Sequence, residues 1–305
     1  MDAHGRWDDL LDPTREELER QLPVGVQRHV LDELAAPARD ARQLRPKLEA
    51  HGEYVFGVFL VAVAVPEEDV VFYQELGLVL TEDRVVTVRK TPEGDRPPYD
   101  PGPVRAACAE DDPVAMVVYH LADDVAERYL DLVDALEDEI ENLEDLVEES
   151  PRGYVSGRIS EFRHDMVHIR RTLSPTRDAV RQIVDRRVEL GPGDRFPPTV
   201  RLAFGSVYDK LLRAADGLEL ARDLLEGVRE FQQAKVANDQ NEVVKRLTVI
   251  ASLLLVPTFI VGVYGQNFDR MPELHWWWGY YFWSWGLILV TTVAQLAFFR
   301  WRRWI

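Results

Sequence analysis

Two long apolar runs near the C-terminal end constrain this chain more than any other feature. Leu247 to Tyr264 is 18 residues without a formal charge, and Tyr281 to Phe299 is 19. At about 1.5 Å rise per residue, each falls in the range that a helix needs to cross a hydrocarbon layer of about 30 Å. A third apolar run, Tyr54 to Val65, has only 12 residues, is rich in Val and ends at Pro66, so it reads as a buried strand.

The flanks orient the pair. Lys245 and Arg246 precede the first run, and Arg300, Arg302 and Arg303 follow the second. Positive charge is retained on the cytoplasmic side, which puts both termini in the cytoplasm. The loop of residues 265–280 is then extracytoplasmic. Its Trp276, Trp277, Trp278 and Tyr280 suit the outer interface, as Trp301 and Trp304 suit the inner one.

Charge divides the chain in the same place. Of 53 acidic and 36 basic residues, 51 and 32 lie at or before Arg246, a net of −19, while the 59 residues beyond carry a net of +2. The two parts are built for different solvents. The acidic part disfavours nucleic acid, whose phosphates require a basic footprint, and it attracts cations. The single cysteine, Cys108, excludes an intrachain disulfide and fits a reducing compartment. The polar, acidic start of the chain has no cleavable signal, which leaves membrane entry to the C-terminal runs.

Residues 1–118 read as a mixed α/β domain. Thr14-Arg15-Glu16-Glu17 has capping-box spacing and opens a short helix before Pro23. Leu76–Leu80 and Val85–Val88 flank the polar stretch 81–84 as a hairpin, giving at least three strands with the Tyr54 run. The stretch 92–103 is rich in Pro, Gly and Asp and reads as a loop. Residues 119–246 read as a helical stalk. Leu121, Val125, Tyr129, Leu132, Leu136, Ile140, Leu143 and Val147 recur at helical steps, with acids on the other face. A second helix carries Ile159, Phe162, Met166, Ile169 and Leu173 and is interrupted at Ser174-Pro175 before Val180 and Ile183. After a break at 191–198, one helix could run from Thr199 to Tyr264, about 100 Å. The expected fold is thus an α+β membrane protein. A cytoplasmic α/β domain precedes the stalk, with membrane helices at 247–264 and 281–299 and a basic tail at 300–305.

Asn241, Val244, Leu247, Ala251, Leu255, Thr258, Gly262 and Gly265 fall close to one stripe of that helix, uncharged and mostly small or apolar. Two readings stand at this point: a helix–helix packing seam, or a pore wall shared by symmetry-related copies. A two-span chain cannot enclose an aqueous channel alone, so the second reading requires an oligomer.

The residues that follow carry a resemblance. Tyr264-Gly265-Gln266-Asn267-Phe268, then Met271-Pro272-Glu273-Leu274, resemble the signature of the CorA family of divalent-cation transporters, in which Tyr-Gly-Met-Asn-Phe ends the first span and Met-Pro-Glu-Leu follows. The similarity extends to Asn241-Glu242-Val243, Lys245, Leu247-Thr248, Pro257-Thr258-Phe259-Ile260 and the basic, Trp-containing end. It is weaker at 138–141 and at Val207-Tyr208-Asp209, and only architectural before residue 119. The resemblance implies a homopentamer in the plasma membrane. A funnel-shaped cytoplasmic domain leads into a pore-lining first span, and the second span packs outside it. It implies five Asn267 carboxamides at the outer mouth meeting a hydrated cation, constrictions around Val244 and Leu247, and pore-facing Leu255 and Thr258.

The chemistry agrees. Mg²⁺ dehydrates reluctantly, and neutral amide oxygens can hydrogen-bond its waters without stripping them. The expected cargo is therefore Mg²⁺, with Co²⁺ or Ni²⁺ as further cargoes, moving passively; no ATP-binding motif, catalytic triad or cofactor motif is present, and no enzyme is expected. Two other readings share these features: proton-coupled Zn²⁺ uptake of the ZntB type, and a non-conducting membrane-tethered sensor or scaffold. Two residues depart from the family pattern. Gln266 stands where Met is usual, which bears on selectivity. Ser206 stands where many members carry an acid of a regulatory cation site, which predicts weaker metal-dependent closure there. Asp269 and Glu273 in the outer loop could concentrate cations or simply be solvated. His164 and His168 have the i, i+4 spacing of a helical zinc site, but no third ligand can be named and they read as a solvated face. The acids between Glu137 and Glu149 read as a solubilising face.

Overall fold

A computed structural model describes residues 6–38, 44–65, 70–94, 96–109, 111–187, 196–266, 271 and 275–305. The chain divides into two units, Met1–Arg229 and Glu230–Ile305.

In the first unit the Tyr54 run is strand β3 (Val55–Val65), and its neighbours are β1 (Trp7–Leu11), β2 (Lys47–Ala50), β4 (Val70–Leu80) and β5 (Val85–Arg89). They form one sheet in the order β1-β5-β4-β3-β2. The expected hairpin is present: β4 and β5 pair antiparallel from Leu76↔Arg89 to Leu80↔Val85. Its turn is fixed by Thr81, whose hydroxyl donates to Asp83 Oδ1 at 2.8 Å and accepts from Arg84 N–H. β1 pairs parallel with β5, Trp7 against Val85, and so becomes an edge of the sheet. The sequence reading counted at least three strands; β1 and β2 were too short to show a period of their own.

Alternation along β3 supplies two apolar faces. Phe56 and Val58, with Val79, Val86 and Val88, meet α1 (Arg15–Gln21) and α2 (Arg28–Ala35). The Thr14 capping box that opens α1 is formed as expected. α2 lies so close that a Cβ on Gly77 would come 2.5 Å from Leu34 Cδ2, so any larger residue there would force the buried Leu34 side chain to move. Val55, Phe59 and Val61 face the other way, onto a larger core. That core is closed by α3 (Gly102–Ala107), α4 (Val114–Glu149), α5 (Arg152–Val184) and the first part of α6 (Pro198–Tyr264).

One expectation is corrected here. α5 is not interrupted at Ser174-Pro175 but runs through it. Pro175 removes one N–H, a loss of about 3 kcal/mol in a helix interior. Against it stand Ile169, Leu173, Val180 and Ile183, all buried on one stripe, and the continuous helix keeps them so. α6 is the continuous helix expected from Thr199 onward, starting one residue earlier and running 67 residues.

In the second unit, the remainder of α6 is followed by a π-helical turn at Tyr280–Gly286 and by α7 (Leu287–Trp301). The second apolar run is therefore not one regular helix. α7 alone, 15 residues, rises about 22 Å, short of a full hydrocarbon layer without the turn before it. Among the described helices, α6 is the one long and apolar enough to cross a membrane by itself.

Candidate functional site: the outward stripe of α6

The site begins with how α6 and α7 divide the surface of α6. Val249 and Ile260 are 6% and 7% exposed, and Ser252, Leu253, Val256 and Pro257 are half-buried. At about 100° per residue these positions gather on one side of the helix. α7 contributes Gln295, whose Nε2 donates to the Ser252 carbonyl at 3.2 Å, and its own Phe299 is buried. Pro257 has no N–H, so the Leu253 carbonyl loses its usual i+4 donor on this half-buried side.

The predicted stripe lies on the other side. Asn241, Val244, Leu247, Ala251, Leu255, Thr258, Gly262 and Gly265 are all exposed in the single chain. Leu247 and Leu255 reach 64% and 70%. A packing seam with α7 is thereby ruled out for these residues; the seam is built from the alternate set. Ile250, Leu254, Phe259 and Val261 are also exposed, so α6 presents a broad apolar surface that water would not tolerate.

The chemistry along the stripe is neutral. Thr258 donates its hydroxyl hydrogen to the Leu254 carbonyl at 2.7 Å, and Thr248 does the same to Val244 at 2.8 Å. Thr258 therefore turns only lone pairs outward, which suits the waters of a cation or the cation itself. Below the apolar segment, Arg246 pairs with Glu242 at 2.5 Å. At the top, the Gly265 N–H closes the helix on the Val261 carbonyl at 2.8 Å. A Cβ at Gly265 would approach that same carbonyl to 3.2 Å, so glycine lets the chain turn tightly out of the helix. Gln266 follows, exposed, its N–H on the Val263 carbonyl at 3.3 Å. Asn267, Asp269 and Glu273 lie outside the described residues.

Other predicted positions fall elsewhere. Ser206 is exposed and donates its hydroxyl to the Ala203 carbonyl at 2.7 Å, within its own helix. His164 and His168 touch, Nε2 to Nε2 at 3.0 Å, and no third ligand joins them among the described residues. Sequence reasoning missed the Ser252–Gln295 contact. A lone amide in an otherwise apolar run was the signal that could have found it, because an amide at that depth needs a partner.

A mixed α/β domain, long helices and an apolar α6 surface backed by a shorter apolar helix define an integral membrane protein with a large polar domain. The chain belongs to a family of transporters: residues 2–303 match the family model of the CorA-like Mg2+ transporter protein. The Cobalt/magnesium transport protein CorA of Thermotoga maritima is 30% identical over 271 residues, covering 86% of this chain and 73% of that one. The solved structure of the CorA magnesium transporter from Methanocaldococcus jannaschii superposes with a TM-score of 0.78 at 21% identity, over 98% of this chain and 91% of that one. The ZntB cytoplasmic domain from Vibrio parahaemolyticus shares the fold at a TM-score of 0.55 and 15% identity, over 76% of this chain and 88% of that one.

Proposed function

We propose that this chain forms a passive pathway for hydrated divalent cations, Mg²⁺ first and Co²⁺ or Ni²⁺ with it, across the plasma membrane. The carrying observation is the stripe from Asn241 to Gly265, exposed on the side of α6 away from α7. Such a surface is completed by further copies of the same chain. Five copies place Leu255 and Thr258 around a common axis, with Val244 and Leu247 as rings that close by dewetting. Gly265, Gln266 and Asn267 form the outer mouth, and the Asn267 carboxamides hold the ion through its hydration shell. Asp269 and Glu273 concentrate cations at the entrance. Both termini are cytoplasmic, residues 1–118 and 119–246 forming the domain and stalk on that side. An inside-negative potential then favours entry of a dication by about 4.6 kcal/mol per 100 mV, sufficient drive without a resident cofactor or nucleotide.

The test is flux into liposomes holding the full chain. Mg²⁺ and Co²⁺ should enter under an inside-negative potential with or without a pH gradient, and Asn267→Ala should abolish entry. Zn²⁺ uptake that requires a proton gradient would replace this reading by the ZntB-type one. No flux of any of these ions would leave a sensor or scaffold instead.

A further inference from the structure

Far along the sequence from α6, the start of α2 and the end of β2 bring three metal-binding side chains together. Glu49 and His51 stand two residues apart at the end of β2 and so share one face. His29 is the second residue of α2. Tyr54 links the two elements: its hydroxyl oxygen accepts from the Gln27 N–H at 3.0 Å, beside the start of α2, and its ring stacks on His51 at 5.0 Å. The turn between is closed by the His51 N–H on the Tyr54 carbonyl at 2.9 Å, with Gly52 at φ 71°. The rings of His29 and His51 meet edge to face at 5.7 Å.

The donor atoms converge. Glu49 has its Oε1 3.4 Å from Lys47 Nζ and its Oε2 3.4 Å from His51 Nε2. Lys47 is itself bound to Glu33 Oε2 at 2.9 Å, which offsets its charge. His51 Nε2 is buried and makes no hydrogen bond, an arrangement that leaves a strong donor atom unused. The ligand atoms of His29, Glu49 and His51 all lie within 4.8 Å of one another.

We infer that His29, Glu49 and His51 bind one transition-metal dication, Zn²⁺ foremost and Co²⁺ or Ni²⁺ with it, clamping α2 to the β2–β3 turn. Bonds of about 2.0–2.1 Å in a tetrahedral shell set neighbouring ligand atoms about 3.3 Å apart. Glu49 and His51 already stand at that separation, and the exposed His29 offers a ring nitrogen within 4.8 Å of both. Two imidazoles and one carboxylate select such metals over Mg²⁺, for which Glu49 would be the one oxygen ligand. Water completes the shell. The site shares no residue with the proposed pathway and discriminates against Mg²⁺, the first of the proposed cargoes.

The test uses the full chain without an affinity tag, purified in detergent and stripped of metal. Titration with Zn²⁺ in the presence of excess Mg²⁺ should give one tight equivalent per chain, and Co²⁺ should develop the visible absorption of a tetrahedral site. His29→Ala, at an exposed position that the fold does not need, should weaken binding more than about tenfold. His51→Gln should do the same, while His164→Ala/His168→Ala should leave the tight equivalent in place. The inference is overturned if His29→Ala binds Zn²⁺ as the parent does, if the His164/His168 variant loses the equivalent, or if Mg²⁺ displaces Zn²⁺ at comparable concentration. These readouts do not depend on flux, so a failed transport assay leaves them standing.

Discussion

At the scale of single residues, the first unit holds charged groups out of contact with water. Lys90 is 1% exposed, with Nζ on Glu75 Oε1 at 2.5 Å and on the Glu33 carbonyl at 2.9 Å. Breaking a buried ion pair is costly, so Lys90→Ala should lower unfolding stability by about 3–5 kcal/mol, read by denaturant titration. A loss below about 1 kcal/mol would show that water reaches Glu75. Asp165 and Glu139 are different: burial, first of all, raises both carboxyl pKa values above the ordinary range. The native state therefore binds these protons more tightly than the unfolded chain. Their contribution to stability grows as pH falls from neutral through the raised values and is lost as pH rises through them. Thermal unfolding followed from neutral pH down toward the ordinary carboxyl range should show this, with a shallower slope in Asp165→Asn. An unchanged slope would remove Asp165 as a source. Burial also holds Tyr73 up to about 12, so that phenol stays neutral throughout.

At the scale of elements, α5 shows how a local rule yields to packing. Pro175 predicts a break, and the helix continues because Ile169, Leu173, Val180 and Ile183 are all buried along one side. Thr172 and Thr176 donate to the carbonyls of Ile169 at 3.0 Å and Thr172 at 2.8 Å, satisfying two buried hydroxyls next to the proline. Pro175→Ala restores one helical N–H but loosens the unfolded chain. The expected net gain is about 1–2 kcal/mol, seen as a higher denaturation midpoint. Destabilisation would mean that contacts of the proline ring outweigh the missing hydrogen bond. α6 is the contrasting case: the lack of a strong break from Thr199 to Tyr264 predicts one continuous helix, and one is present. Spacing puts the stripe on one side, and the position of α7 leaves that side exposed in the single chain.

At the scale of the whole molecule, a 35.1 kDa chain that exposes Leu247, Leu255, Phe259 and Val261 together carries apolar surface suited to lipid, and the proposal assigns its Asn241–Gly265 stripe to further copies of the chain. The proposed pentamer should weigh about five chains by light scattering after the detergent is subtracted. In a Cys108→Ala background, Leu255→Cys should form an interchain disulfide on mild oxidation, whereas Ile260→Cys, on the α7 side, should not. Crosslinking of Ile260→Cys alone would reverse the assignment of faces.

The sequence by itself determined the apolar run that ends α6, the long helices α4 and α6, the β4–β5 hairpin and the α1 cap. These follow from length, period and local turn chemistry, which act between residues close in the chain. The tertiary structure alone decided the parallel pairing of β1 with β5, the open side of α6 and the meeting of His29 with Glu49 and His51. Each depends on segments distant in sequence or on burial against another element, and no periodicity within one segment records which partner it will find.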